Sequence, residues 1–251
     1  MPVMDEFKEE REALKHGTPK EKLSYFFYYY KWHVLTVILV LIAVTSLVSQ
    51  LLSRKETAFY IALINAIDLS ASGSPSLDFE DYAGIDTDSF SVVYDTSMRM
   101  DFTAMTEESI NSSEKFVVYL AARELDVVIS DENVIRQYAH NETFYDLRDF
   151  LTPQQYQACS PYFYYVDQAV IDAKNAAQEA YDYDFVPDYP DPRHPEEMEN
   201  PIPVGIYVSH CAALTSRFYF TDTESEPVLS VVLNTSRPEM VSSYIDFLMQ
   251  Q

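Results

Sequence analysis

The sequence predicts one apolar helix near the N-terminus followed by an α/β domain with a largely parallel sheet flanked by helices. Three observations carry this. Residues 34–52, VLTVILVLIAVTSLVSQLL, form nineteen positions without a charge. After Lys55, short apolar runs alternate with amphipathic segments of helical period. Several of those segments open on a capping residue, the pattern of a βαβ chain.

The apolar run reaches roughly 28 Å as a helix at 1.5 Å per residue, close to the hydrocarbon thickness of a bilayer. Its Thr36, Thr45 and Ser46 hydroxyls can bond back to carbonyls of their own helix, which makes lipid burial tolerable. Immediately before it, YFFYYYKWHV (25–34) places seven aromatic residues in eight positions. A soluble core does not need aromatic rings at every helical angle; a membrane–water interface rewards them, ring in and polar tip out. Lys31, Arg54 and Lys55 can snorkel to close the two ends. Because 33 residues precede the run and the cleavage pattern is poor, an uncleaved anchor is expected rather than a signal peptide. Lys15, Lys20, Lys22 and Lys31 lie before the span, against Arg54 and Lys55 just after it. That bias puts the N-terminus in the cytoplasm and residues 56–251 outside the cell. The expected organisation is a cytoplasmic tail with its aromatic belt (1–33), a transmembrane helix (34–52) and one extracytoplasmic domain (56–251).

The tail reads as a helix over 4–16 ended by Gly17, after which Thr18, Pro19 and Glu21 open the helix that continues across the membrane. Outside, AFYIALINA (58–66) reads as a buried strand, LDFEDYAGI (77–85) as a short helix and FSVVYDTSM (90–98) as a second strand. Thr106 caps a helix to about Arg123, with Ile110, Val117, Leu120 and Ala121 expected on its core face. LDVVISD (125–131) is a third strand, followed by a helix near ENVIRQYAH and the compact FYDLRDFL. PYFYYV (161–166) reads as a strand leading into an Ala-rich helix. Residues 182–203, with six prolines and seven acids, read as an acidic loop without regular structure. PVGIYV and PVLSVVLN supply two more strands. SRPE is read as a capping box from Ser236 to Glu239, opening a helix that buries Val241, Tyr244, Ile245 and Leu248.

Residues 56–251 carry 34 acidic and nine basic side chains, a balance that repels nucleic acid and anionic headgroups. Four glycines in the whole chain exclude a Gly-rich phosphate loop. There is no G-x-S-x-G, no H-E-x-x-H and no metal spacing among the five histidines, so no enzyme and no cofactor is expected. Neighbours on a strand point to opposite faces, which argues against a His210–Cys211 dyad. Cys159 and Cys211 are either a disulfide closing a loop of about 50 residues or two buried free thiols. Asp182, Asp184, Asp188 and Asp191 are a weak Ca²⁺ candidate without the EF-hand glycine and glutamate. Ligands of parallel sheets bind at the carboxyl ends of strands, which singles out Asp95, Asp131 and Tyr145 as ligand-binding candidates.

Three stretches, ARELDVVISDENVIRQYAHNETFYDLRDFLT (122–152), PVLSVVLNTSRPEMVSSYIDFL (227–248) and, more weakly, the opening strand with DFEDYAGIDTDSF, together resemble bacterial extracellular solute-binding proteins of the type 2 periplasmic-binding fold. The resemblance covers about half of the exported domain. It rests on a strand ending in an acid before a helix, a YDL segment, and a late N-x-x-x-P-E turn with its closing helix. KEKLSYFFYYYKWHV (20–34) is similar to the start of anchored proteins of Gram-positive bacteria. Full-length members of the solute-binding family have two lobes and about twice the length; here little more than one lobe fits. The resemblance implies a non-catalytic, membrane-anchored module that binds a small solute. The alternative is an accessory subunit of an envelope or transporter complex, bound to a protein partner. An open Tyr-lined pocket near Asp95 and Asp131 would favour the first; a filled crevice with an apolar patch elsewhere would favour the second.

Overall fold

Strand periodicity puts alternate residues of the central strands into two different cores. Phe59, Ile61 and Leu63 enter one apolar cluster and Tyr60, Ala62 and Ile64 the other, all buried. Val127 and Ile129 likewise oppose Val128. A sheet covered on both faces has no solvent side, so its strands read as continuous apolar runs.

The structure is a computed structural model and describes residues 18–52, 55–70, 78–104, 106–182 and 184–250. The chain divides into two units, Met1–Arg54 and Lys55–Gln251. In the first, α1 (Pro19–Leu52) is one uninterrupted helix of 34 residues. Its stretch Tyr30–Ser49 is long and apolar enough to span a membrane. Thr36 Oγ1 donates to the Trp32 carbonyl at 2.8 Å and Thr45 Oγ1 to that of Leu41 at 2.8 Å, so these hydroxyls are satisfied within the helix as expected. The expected tail helix, the side chains of residues 25–29 and Arg54 lie outside the described residues.

The second unit runs β1 (Glu56–Leu63), β2 (Ala66–Asp68), α2 (Phe79–Tyr82), β3 (Phe90–Asp95), α3 (Glu107–Ala121), β4 (Val127–Ser130) and α4 (Glu132–Ala139). It continues with α5 (Leu147–Phe150), α6 (Pro153–Cys159), β5 (Phe163–Asp167), α7 (Gln168–Glu179), β6 (Pro201–Tyr207), α8 (Ala212–Arg217), β7 (Phe218–Phe220), β8 (Val228–Val231) and α9 (Pro238–Met249). Six strands form one sheet in the order β3-β1-β4-β8-β6-β5, and β2 pairs with β7 in an antiparallel ribbon.

The sheet is mixed. β3, β1 and β4 are mutually parallel; β8 runs against β4, β6 against β8 and β5 against β6. Four strands therefore share one direction, and β8 and β5 oppose them. The expectation of a largely parallel sheet holds for orientation, while three of the five pairings are antiparallel. The reason is connectivity: α7 and the 182–203 segment return the chain so that β6 lies antiparallel beside β5, and β8 then inserts between β4 and β6.

Two local expectations are corrected. On α3 the buried residues are Ser109, Ser112 and Phe116, whereas Ile110 and Val117 are 42% and 54% exposed. Serines displace the apolar stripe because their hydroxyls have backbone partners. The Arg99 amide donates to Ser112 Oγ and the Asp101 amide to Ser109 Oγ, both at 2.9 Å. At α9 the N-cap is Arg237 with no side-chain cap, so the SRPE box is not formed, although Val241, Tyr244, Ile245 and Leu248 are all buried as expected.

Candidate functional site

β1 sits between β3 and β4, and the chain leaves it first for one neighbour and later for the other. That is a topological switch point, where the loops beyond the strand ends diverge and leave a crevice. A cleft of about 610 Å³ occupies it, lined by residues that follow β1, β3 and β4 and by the 182–203 and 221–222 segments.

Asn65 builds the floor. It ends the apolar run of β1 with φ +57°, a left-handed conformation that asparagine tolerates better than most residues. Its Nδ2 donates to the Met100 carbonyl and to Asp131 Oδ2, and its Oδ1 accepts from the Met100 amide, all at 2.8 Å. The Thr221 amide and hydroxyl donate to the Asn65 carbonyl, at 2.8 and 3.0 Å. One residue thus ties the 96–104 loop, the start of α4 and the chain after β7 together.

Asp131 lines this cleft but is buried and fully engaged. Its Oδ1 caps α4 by accepting from the Asn133 and Val134 amides, each at 3.1 Å, and its Oδ2 accepts from Asn65 and Ser130. It shapes the site rather than offering an oxygen to it. Asp95 is outside the cleft lining. Lys115 Nζ donates to its Oδ2 at 2.7 Å and Tyr60 Oη at 2.6 Å, while the Ser97 amide donates to Oδ1. Burial alone would raise its carboxyl, but Lys115, Ser97 and Tyr60 outweigh it and bring it down to about 2. Tyr145 is also elsewhere: its amide donates to the Val231 carbonyl and its ring packs against Phe150 at 5.2 Å. Of the three residues singled out from sequence, one reaches the cleft.

Four side chains that sequence reasoning missed face it. Arg99 Nη1 donates to the carbonyls of Thr96 and Met98, at 2.8 and 3.1 Å, and Arg136 Nη2 donates to Asn133 Oδ1. Tyr189, from the acidic Pro-rich segment, stacks on His140 with ring centroids 4.0 Å apart and planes 17° from parallel. Burial, with the Lys174 and Arg136 charges adding to it, pushes the His140 imidazole down to about 4, so it is neutral at pH 7. One signal was legible: Arg99 is the one base between Lys55 and Lys115 in a strongly acidic stretch.

Among the described residues, no three His, Cys, Asp or Glu side chains converge as a metal site. The Ca²⁺ candidate Asp182, Asp184, Asp188 and Asp191 therefore forms no cage; Asp182 and Asp191 instead accept from the amides two residues on, of Asp184 and Arg193. Cys159 and Cys211 are free thiols, both buried in the same core cluster, so of the two alternatives the disulfide is not formed. Burial pushes each thiol up to about 11, and His210 Nε2 lies 3.7 Å from the Cys211 sulfur while its ring stacks on Tyr162 at 3.9 Å. A protonated thiol is the opposite of an activated nucleophile. Comparison of the chain with known protein families, curated proteins and solved structures finds no match.

Proposed function

We propose that this is a single-span membrane protein whose C-terminal α/β domain lies outside the cell and binds a small solute without catalysis, as a reduced, one-lobed relative of solute-binding proteins in a Gram-positive envelope. The observation that carries the reading is the open cleft at the β1/β4 switch point. Its volume falls within the roughly 300–1,000 Å³ range of small-molecule sites, and its walls are mostly polar and charged, with Phe102, Tyr189 and His140 as the rings among them. The 20-residue span Tyr30–Ser49 and the lysine excess before it support anchoring with the N-terminus inside. The raised Cys211 thiol supports a non-catalytic role.

A second reading, an accessory subunit that contacts a protein partner, is favoured by the exposed Ile110, Val117 and Val118 on α3. Melting of the full chain in detergent, measured against amino acids, peptides, sugars and polyamines, separates the two. A ligand at 100 times its dissociation constant stabilises by about 2.7 kcal/mol, several degrees for a domain of this size. A saturable shift that is lost when Tyr189→Ala opens the cleft wall supports solute binding. A folded protein without any shift across the panel sinks it in favour of the partner role.

A further inference from the structure

We propose that the switch-point cleft takes a zwitterion, a free amino acid or short peptide, with its carboxylate on Arg99 and Arg136 and its ammonium toward the acidic side chains of Asp101, Glu108 and Asp222. This rests on the solute-binding reading above and names the chemistry of the solute.

The nine bases of residues 56–251 face 34 acids, and five of them, Lys115, Arg148, Arg193, Arg217 and Arg237, lie within 4.0 Å of a carboxylate. Among the described residues Arg99 and Arg136 have no such partner, and both line the cleft. Each uses a single terminal nitrogen on neighbouring protein oxygens, leaving the rest of the guanidinium fork for a ligand. In a domain with an almost fourfold excess of acid, two arginines left without a carboxylate partner in one cleft point to an anion supplied from outside. Arginine matches a planar carboxylate with two parallel hydrogen bonds.

The helix ends do not compete for that anion. At α4 the Asn133 and Val134 amides are taken by Asp131, and at α3 the Ser109 amide by Thr106 Oγ1. The rest of the lining decides between anions. Asp101 and Asp222 are held by the turns they close, through Thr103 and Ala104 in one case and Glu224 and Ser225 in the other; Glu108 is exposed. A phosphate dianion would meet three carboxylates with two guanidiniums. A zwitterion meets both signs with its own opposite ends. Phe102 and the Tyr189–His140 stack give an apolar surface for a side chain.

The test uses the full chain in detergent. Melting curves with pooled free amino acids and pooled dipeptides identify the tightest member, and titration calorimetry compares it with its N-acetyl and C-amide derivatives and with inorganic phosphate. The expected result is at least tenfold weaker binding for each blocked derivative and for Arg99→Gln and Arg136→Gln. Arg123→Gln, which removes another arginine without a carboxylate partner but outside the cleft, keeps full affinity. The unliganded melting point of each variant reports folding. Should Arg99→Gln not fold, Arg99→Lys keeps the charge but loses the fork, and is expected to weaken binding as well. An N-acetyl derivative that binds equally well, tight phosphate binding, or arginine variants with unchanged affinity would each overturn the proposal. So would the absence of a shift with both pools. A shift with sugars or polyamines in that case leaves solute binding standing, whereas silence across every panel removes both readings.

Discussion

Asn65→Ala tests whether one amide holds the cleft together. The substitution removes two neutral hydrogen bonds to Met100 and one to the Asp131 carboxylate, and leaves alanine at φ +57°. Neutral bonds contribute about 0.5–1.5 kcal/mol each and a bond to a charged group about 1.5–3. Asparagine tolerates the left-handed backbone through its short polar side chain, and alanine forgoes that relief at a cost of about 1 kcal/mol. Taking the low end of each range, because these groups share neighbours, the expected loss is about 3.5 kcal/mol. At roughly 2–4 °C per kcal/mol for a domain of this size, the melting point falls by about 10 °C. Urea unfolding of Lys55–Gln251, a unit with its own two-sided core, measures it directly. Asn65→Gly lies about 1 kcal/mol above the alanine variant, because glycine accepts the positive φ. A double-mutant cycle with Asp131→Ala should return a coupling of about 1.5–3 kcal/mol. An alanine variant within 1 kcal/mol of the parent, or a coupling near zero, would refute the clamp.

Gly205→Ala should cost about 1–3 kcal/mol in urea, since a Cβ there would sit 2.5 Å from Val228 Cγ1 and 2.9 Å from Ser230 Oγ. His140 titrates at about 4 when folded and near 6.5 when unfolded, so its contribution is complete above pH 6.5 and is lost as the pH falls toward 4. His140→Phe is therefore expected to remove a loss on the order of 3 kcal/mol from that window of the stability–pH curve, leaving the steeper fall below it, where Asp95 protonates. Arg237→Met uncovers the buried Asp126 carboxylate, which Arg237, Thr235 and the Tyr60 amide now satisfy. Stability should drop by about 3 kcal/mol at neutral pH. Burial already raises Asp126, so the deficit should shrink as the pH is lowered and the group takes up a proton; a deficit independent of pH would contradict this.

Most elements were legible because each announces itself locally. β1, β4 and β8 are apolar runs, α4 follows an acid that caps it, and α9 has ideal spacing of Val241, Tyr244, Ile245 and Leu248. What failed depends on partners distant in sequence. Nothing near Ser109 or Ser112 says that the backbone of residues 99–101 will cover them, so the exposed Ile110 and Val117 looked like the core face. The direction of β8 follows from how the connection through α8 and β7 brings the chain back beside β6, not from the composition of PVLSVVLN. In the site, the carboxyl-end rule located Asp131, but the cleft is also lined by Arg99 and Tyr189, from segments read as connections, and by Arg136, from the helix that Asp131 caps. A carboxylate at a strand end is as well explained by capping as by ligation, and here the cap won.

The serine-lined face of α3 has a consequence for how such a cleft changes over time. Residues 99–101 are docked through main-chain amides, at Arg99 onto Ser112 and at Asp101 onto Ser109, while Met98 and Met100 supply the buried side chains. Arg99, Asp101, Phe102 and Thr103 project into the cleft without being needed to hold the loop against α3 by packing. A wall fastened to α3 by its backbone lets Phe102 change with little effect on the sheet beneath, whereas Arg99, Asp101 and Thr103 also hold the turns of the loop itself. The chemistry of that wall can then drift between homologues while the scaffold stays the same.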